Sequence, residues 1–208
     1  MKNCYLFLAT GFEEIEATTT IDILRRAGLN LITVSVEDSL EVKGAHDIVM
    51  RADTLLKDND YTDNRILILL GGTVRLGEFD FLNNLLVEQN KAGKTIAAIC
   101  AAPSLLGRLG ILKGKEATCY PSFEVYLDGA TFVDKRVVVS QNIITGKGPG
   151  CTKEFALKIV ETLLGQEKMS EVAEAGYLPC RRVDRRDQKR SSKTYRGGLC
   201  PCERSKSF

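Results

Sequence analysis

Cys100 is the residue of this chain best placed to act as a nucleophile. It follows the apolar run 94–99 and precedes Ala101-Ala102-Pro103, small residues that favour the start of a helix. A thiol at such a turn lies over the free N–H groups of the first helical turn, whose partial positive charge lowers a thiol pKa. The alternative is that Cys100 packs only as a small apolar side chain, because cysteine is often buried.

Glu16 is the candidate proton carrier. In a helix predicted over 14–27, Glu16 borders the apolar face, whereas Glu13 and Glu14 can point to solvent. A carboxyl group at that position loses solvation, which raises its pKa and lets it remain protonated or move a proton near neutrality. A first-turn glutamate that only complements the helix dipole is the alternative. The presence of Cys100 favours the chemical interpretation.

Gly71 and Gly72 follow another apolar run, 65–70, and provide a possible anion pocket. Glycine allows backbone N–H groups to approach a ligand closely, although a pair of glycines can also simply form a turn. Together with the N–H group of Ala101, that of Gly72 could bind an oxyanion, a phosphate or an oxidised sulfur.

Several kinds of site are not supported by the sequence. The single histidine, His46, lies outside the segments that follow the strands, so a Cys-His hydrolase is not favoured. The turn at 146–150 matches neither a P-loop nor a dinucleotide fingerprint. Cys200-Pro201-Cys202 resembles half of a zinc site without a second half. We expect no metal and no cofactor.

Composition places the chain among ordinary globular proteins. Its 208 residues are 44% hydrophobic and 27% charged, enough for one domain with a full core, and no apolar run approaches membrane-spanning length. The seven cysteines are odd in number and unevenly spaced, which argues against a disulfide framework and for a reducing compartment. We therefore expect a cytoplasmic protein with no membrane partner.

The charge divides the chain into two segments. Residues 177–208 carry ten Lys and Arg against three acidic residues, so they are basic and poor in apolar side chains. We predict one domain over 1–176 and a disordered basic tail over 177–208. The tail either binds nucleic acid or acidic partners or has no role. The domain itself is mildly acidic, so nucleic acid is not expected to bind there.

The apolar pattern predicts the elements that position these residues. β-rich runs alternate with helical patterns, which favours parallel strands, crossover helices and a doubly wound α/β sheet with helices on both faces. A hairpin is expected within 38–58, at a sheet edge or subunit interface, and a last helix over 168–175. In such sheets ligands bind beyond the carboxyl ends of the strands, where Glu16, Gly71 and Cys100 fall. The strands are predicted at 3–9, 31–37, 65–70, 94–99 and 137–145, and the main helices at 14–27, 78–92, 101–109 and 151–165.

These segments resemble the ThiJ/PfpI (DJ-one) superfamily over about residues 3–175. The similar segments are Gly11 to Ala17, Leu70-Gly71-Gly72, Ala97 to Pro103 and Gly148 to Val160. The resemblance implies a flavodoxin-like homodimer in which Glu16 hydrogen-bonds a reactive Cys100. It also implies glyoxalase or deglycase chemistry without a cofactor, on glyoxals and early glycation adducts, and protection against oxidative stress.

The chain departs from its apparent relatives near the cysteine. Many of them carry a histidine where this chain has Tyr120, a poor general base near neutrality, so a mechanism must rely on Glu16. Protease-type relatives carry a histidine where Ala101 stands, so peptidase activity is not expected. Arg26 and His46 resemble positions of basic residues near the pocket and dimer interface, and are candidate anion-binding residues.

Three functional hypotheses follow. In the first, Cys100 attacks a small reactive carbonyl compound such as methylglyoxal, Gly72 and Ala101 stabilise the oxyanion, and Glu16 moves the proton. In the second, the protein is a redox sensor or chaperone-like stress protein whose Cys100 is oxidised to sulfinate. In the third, the basic tail provides a chaperone-like or nucleic-acid-binding role. The order given is our order of preference.

Overall fold

The computed structural model describes residues 2–176. The predicted tail, with Cys200-Pro201-Cys202, lies outside the described residues. The strands are β1 Asn3–Leu8, β2 Leu31–Ser35, β3 Glu41–Lys43, β4 Val49–Arg51, β5 Thr54–Leu55, β6 Asn64–Leu69, β7 Thr95–Ile99, β8 Glu116–Ala117, β9 Thr131–Phe132, β10 Val137–Ser140 and β11 Ile143–Gly146. The α-helices are α1 Glu14–Arg26, α2 Asp80–Lys91, α3 Pro103–Arg108, α4 Thr152–Leu164 and α5 Gln166–Ala175.

A mostly parallel seven-stranded sheet organises the chain, in the order β10-β11-β7-β6-β1-β2-β5. Only β10 pairs in the antiparallel sense, with β11. The doubly wound α/β prediction is therefore confirmed. The single strand predicted over 137–145 is wrong, because a turn between Ser140 and Ile143 folds that stretch into a hairpin. Strand β5 at one edge and the small β8–β9 sheet were not predicted; each of these strands has two residues, too few to show a period.

Alternating side chains of the central strands supply two cores. Cys4, Leu6 and Leu8 of β1 pack on one side with residues of α1, α4 and α5. Tyr5 and Phe7 face the other side, with residues of α2 and α3. Because side chains of a strand alternate between its faces, a strand in the middle of the sheet must be apolar at every position.

The hairpin expected within 38–58 is present as β3 and β4. It forms a separate two-stranded sheet and does not extend an edge of the main one. The Gly11 N–H donates to the carbonyl of Lys43 at 2.7 Å, and the Ala45 N–H donates to that of Phe12 at 2.9 Å. These bonds seat the hairpin on the turn that leads into α1.

Between residues 2 and 176 no helix is both long enough and apolar enough to cross a membrane.

Candidate active site

Cys100 forms the sharp turn between β7 and α3. Its φ of +66° lies in the left-handed region, which is strained for a residue with a side chain, at a cost of about 1–2 kcal/mol. Two backbone bonds hold it there: the Cys100 N–H donates to the carbonyl of Gly146 at 2.9 Å, and its own carbonyl accepts from the Tyr120 N–H at 2.8 Å. A strained turn of this kind exposes a nucleophile at the end of a strand.

The two glycines after β6 let the backbone reach the thiol. A Cβ at Gly71 would lie 2.5 Å from the Cβ of Cys100 and 2.7 Å from its Sγ, so no side chain fits there. Gly72 has a φ of +84°, a conformation that glycine adopts without strain. The N–H groups of Gly72 and Ala101 lie close enough to the Cys100 sulfur to act against the rise of its pKa. Gly72 and Ala101 thus lie beside the sulfur, and binding of an anion by their N–H groups stays a prediction.

Glu16 reaches the same point from α1. Its side chain is fully buried, and its Oε2 accepts the Gly71 N–H at 2.8 Å. Oε1 has no hydrogen-bond partner among the described residues, and the carboxyl lies close enough to the Cys100 thiol for each group to shift the pKa of the other. The backbone at Gly71 therefore lies between the two side chains. Its N–H donates to the Glu16 carboxylate, and its Cα packs against the Cys100 side chain.

Glu13 is a residue of the site that the sequence did not reveal. We expected Glu13 and Glu14 to point to solvent, and this is wrong, since both are buried. The Glu13 carboxylate caps α1 by accepting the Glu16 N–H at 2.6 Å, and the Glu13 N–H donates to the Gly71 carbonyl at 3.0 Å. The spacing of a cap residue and a glutamate three positions later is the signal that would have indicated it.

Burial raises the pKa of Glu16 to about 7, and the negative charge of Glu13 adds to the effect. The hydrogen bonds from Gly71 and Cys100 act in the opposite direction but are weaker. The Glu16 carboxyl thus exchanges its proton near neutrality. Its position was predicted at the border of the buried face of α1, and the structure buries it fully.

The predicted low pKa of the Cys100 thiol is wrong. Burial and the adjacent Glu16 carboxylate raise the pKa of this thiol to about 12, against the stabilising N–H groups of Gly72 and Ala101. The prediction considered only the field of the helix start and omitted the negative charge beside it. Cys100 consequently keeps its proton at neutral pH.

Tyr120 borders the site through both its backbone and its ring. Its N–H fixes the Cys100 carbonyl, and its ring lies over Gly148, where a Cβ would meet the ring at 3.1 Å. The side chain is 46% exposed. Its hydroxyl has no hydrogen-bond partner in the part of the chain that is described, so it is free to donate to a bound molecule.

Arg26 does not lie with the other candidates. It is the last residue of α1, ten positions after Glu16 and so about 15 Å further along the helix axis, and it pairs with Asp22 at 2.7 Å. A role for Arg26 in binding substrate beside Cys100 within the same chain is therefore wrong.

His46 belongs to the hairpin and not to the cysteine turn. Its Nδ1 lies 2.8 Å from Oε2 of Glu14, and its backbone N–H donates to Oε1 of the same residue. The interaction with the Glu14 carboxylate raises the pKa of His46. No contact joins His46 to Cys100 within residues 2–176, so the expected anion site at His46 is not formed by this chain alone.

The other described cysteines are unlike Cys100. Cys4, Cys119 and Cys151 are free and buried, and burial raises the pKa of each. None of the three has a φ in the left-handed region. Nowhere in residues 2–176 do three or more His, Cys, Asp or Glu side chains group in a way that could hold a metal ion.

Comparison with known proteins relates this geometry to one family. The family model described as "DJ-1/PfpI family" matches residues 2–162. Drosophila melanogaster protein dj-1beta is 40% identical over 177 residues, covering 83% of this chain and 95% of the relative. Arabidopsis thaliana protein DJ-1 homolog B is 43% identical over 179 residues, covering 83% of this chain but only 40% of that longer protein.

Two further matches bear on chemistry. A Caenorhabditis elegans protein named glutathione-independent glyoxalase DJR-1.2 is 39% identical over 166 residues, covering 77% of this chain and 87% of the relative. The solved structure of oxidized Toxoplasma gondii DJ-1 superposes with a TM-score of 0.83 at 33% identity, covering 86% of this chain and all of that one.

Proposed function

Since this chain belongs to the DJ-1/PfpI family, we propose that it is a cysteine-dependent, cofactor-independent enzyme of the glyoxalase or deglycase type. Its substrates would be methylglyoxal, glyoxal or early glycation adducts, and its role would be protection against carbonyl and oxidative stress. The observation that carries the proposal is the contact between the Cys100 thiol and the buried Glu16 carboxyl beneath two N–H donors. The naming of the C. elegans relative as a glyoxalase supports it.

The first step uses Glu16 as the base. The Glu16 carboxylate takes the proton of the Cys100 thiol as the sulfur attacks the aldehyde carbon of methylglyoxal, forming a C–S bond. The carbonyl oxygen becomes negative and is held by the N–H groups of Gly72 and Ala101. Glu16 then gives its proton to this oxygen, which yields a hemithioacetal and restores the carboxylate. A thiol with a raised pKa suits this order of events, because proton transfer accompanies the attack.

The second step moves hydrogen between two carbons. Glu16 removes the proton from the carbon bound to sulfur, which gives an enediol, and returns it to the neighbouring carbon. The hydroxyl proton of the hemithioacetal passes to the former ketone oxygen, and the product is a lactate thioester. Water then attacks the thioester carbonyl, the C–S bond breaks, and the sulfur takes back a proton. The balance is methylglyoxal plus water to lactate, with no oxidant, reductant or cofactor.

The test is lactate formation from methylglyoxal by purified protein without glutathione. Cys100→Ser and Glu16→Gln should each lose at least about a hundredfold in kcat, since Cys100 forms the bond to the substrate and Glu16 moves the protons before hydrolysis. Cys151→Ser is the matched control. The Cys151 thiol donates hydrogen bonds to two carbonyl oxygens, and a serine hydroxyl can donate to them as well. Activity that survives in Cys100→Ser would contradict the proposal.

A second candidate function is redox sensing through the same sulfur. The N–H groups of Gly72 and Ala101 already point to it, and a protonated Glu16 would donate to a sulfinate oxygen. The relative from Toxoplasma was solved in an oxidized form. In this case mild peroxide should add two oxygens at Cys100 alone, by intact mass and peptide mapping. Unselective oxidation of the described cysteines would count against it.

We also propose that the protein is a homodimer. Ile15 of α1, and Ile48 and Val49 of the hairpin, are apolar and exposed; the Glu14–His46 contact joins the two elements that carry them. Exposed apolar side chains grouped in this way are typical of an interface. Sedimentation should give twice the chain mass, and Ile15→Glu should give a monomer.

The proposed setting is the reducing cytoplasm.

The tail hypothesis has a simple separate test. Removal of residues 177–208 should abolish nucleic-acid or chaperone-like binding if the tail carries it, and leave the thiol chemistry unchanged. If truncation leaves binding intact, the hypothesis is wrong.

A further inference from the structure

The single histidine of the chain lies beside the face proposed for dimerisation. His46 belongs to the loop between β3 and β4, and two of the exposed apolar residues, Ile48 and Val49, follow it closely. Its carboxylate partner, Glu14, directly precedes Ile15, the third exposed apolar residue. A second copy that covers these three side chains therefore lies over the pair of His46 and Glu14 as well.

The Glu14 carboxylate is surrounded by the hairpin loop. Its side chain is only 8% exposed. Oε1 accepts the His46 backbone N–H at 2.5 Å, and Oε2 lies 2.8 Å from Nδ1 of the imidazole. The loop can approach so closely because residue 44 is a glycine, and a Cβ there would collide with the carboxylate. Burial acts to raise the pKa of Glu14, but hydrogen bonds and charge from His46 lower it, so Glu14 is ionised at neutral pH.

The His46 ring, in contrast, is 75% exposed. In a single chain, water solvates the side of the imidazole that faces away from Glu14, so both protonation states are accommodated. Hydrogen bonding and charge from Glu14, followed by the charges of Glu13 and Asp47, raise the pKa of His46 above its ordinary value of 6.5. The Lys43 ammonium of β3 pairs with Asp47 at 2.5 Å. The His46 imidazolium is therefore the cation in contact with the Glu14 carboxylate.

We infer, on the basis of the proposed homodimer, that protonation of His46 controls how tightly the two copies associate. When a second copy covers the ring, a protonated pair is buried without net charge. A neutral His46 would instead leave the buried Glu14 carboxylate without a counter-charge, and burying such a charge is much less favourable. A twofold interface contains the pair twice, so the effect is doubled.

This arrangement fixes the direction of the pH dependence. Covering the pair makes His46 hold its proton more tightly, because loss of the proton then leaves a buried net charge. Dimer affinity should be full below the pKa of His46 in the single chain and should fall as the pH rises above it. With one proton linked in each copy, Kd should rise at least about tenfold between about pH 6 and pH 9.

The experiment is sedimentation of the full chain across this pH range, with circular dichroism to show that the chain stays folded. His46→Arg keeps a cation at every pH, so its Kd should stay at the low value that the wild type shows at acidic pH. His46→Gln has no charge, so its dimer should be weak throughout the range. In Glu14→Gln the imidazolium has no carboxylate partner, so association should improve as the pH rises, opposite to the wild type.

Two further variants separate this effect from the candidate active site. Glu16 also titrates near pH 7, but it is fully buried within the chain, so Glu16→Gln should keep the pH dependence of Kd. Cys100→Ser, which removes the proposed chemistry, should associate like the wild type.

A dimer whose Kd does not change with pH would overturn the role of His46 and leave the homodimer standing. The same conclusion would follow if His46→Gln responded to pH as the wild type does. A chain that sediments as a monomer at every pH would overturn both proposals.

Discussion

Glu16 opposes ionisation of the Cys100 thiol that lies beside it. The Glu16 carboxylate and burial together raise the pKa of Cys100 to about 12, and the pKa of Glu16 itself is raised to about 7. Two negative charges are thus disfavoured in this small buried space, and the pair holds at least one proton through the neutral range. In the proposed mechanism, the proton moves to Glu16 only when the sulfur forms a bond.

Glu16→Gln should lower the pKa of Cys100 while it lowers catalysis. The amide keeps an oxygen for the Gly71 N–H, removes the negative charge, and supplies an N–H that can donate to a thiolate. The rate of alkylation by iodoacetamide as a function of pH measures this directly. Glu14→Gln is the control, since Glu14 contacts His46. An unchanged pH profile of alkylation in Glu16→Gln would show that Glu16 does not raise the pKa of the Cys100 thiol.

The same substitution should change the stability of the protein with pH. Because the folded pKa of Glu16 lies near 7 and its ordinary value is 4.5, the folded state keeps a proton that the unfolded state has released. The wild type should therefore lose stability as the pH rises through this window, by on the order of 3 kcal/mol. Glu16→Gln should lack this loss, so its advantage in denaturant titrations should grow with pH.

The contribution of Glu14 to stability should depend on pH in the opposite direction to that of Glu16. Glu14→Gln is therefore the matched comparison for Glu16→Gln. Hydrogen bonds and charge from His46 lower the pKa of Glu14 despite its burial, so its contribution to stability is present above its ordinary pKa and is lost as the pH falls. Glu14→Gln should accordingly be less stable than the wild type near neutrality. If both variants respond to pH alike, the environments assigned to the two glutamates are wrong.

Gly71→Ala should abolish activity and destabilise the fold. The added Cβ would overlap the Cys100 side chain, so the sulfur would have to move away from the N–H groups of Gly72 and Ala101. Overpacking of this kind costs about 1–3 kcal/mol of stability. Gly150→Ala is the control, because nothing lies within 4 Å of a Cβ there. Methylglyoxal turnover and thermal unfolding of the two variants make the test. Normal turnover in Gly71→Ala would show that the glycine turn is not needed for the activity.

Tyr120→Phe should leave the pH dependence of turnover in place. If the Glu16 carboxylate is the base, kcat/KM should rise with pH and reach half its maximum near the Glu16 pKa of about 7. Loss of the Tyr120 hydroxyl removes one hydrogen bond to substrate, worth about tenfold or less in rate. A pH profile displaced by more than about one unit in this variant would make Tyr120 part of the proton path.

The central sheet and the cysteine turn could be predicted because the sequence encodes them locally. Long apolar runs without alternation identified the middle strands, and the change from Ile99 to Ala101-Ala102-Pro103 identified the turn. Glu16, Gly72 and Ala101 followed because parallel strands place their carboxyl ends at one edge. The hairpin of β10 and β11 was missed, because Gln141-Asn142 interrupts an apolar run too briefly to be seen as a turn.

The electrostatics were predicted less well because they depend on contacts distant in sequence. Glu14 is buried only because the loop at Gly44 and His46 folds over it. The pKa of Cys100 depends on Glu16, which lies 84 positions earlier in the chain. Arg26 looked suitable by resemblance, but one helix length carries it away from the cysteine.

The turn of Gly71 has a consequence for synthesis on the ribosome. Glu16 emerges early and is buried in the finished protein, yet its N–H donor at Gly71 and its thiol partner at Cys100 come much later in the chain. A nascent chain that ends before Cys100 holds a carboxyl group with no thiol to share its proton. The pair of Glu16 and Cys100 is therefore assembled only after β7 has left the exit tunnel and entered the sheet, so that shorter chains lack the pair on which the proposed chemistry depends.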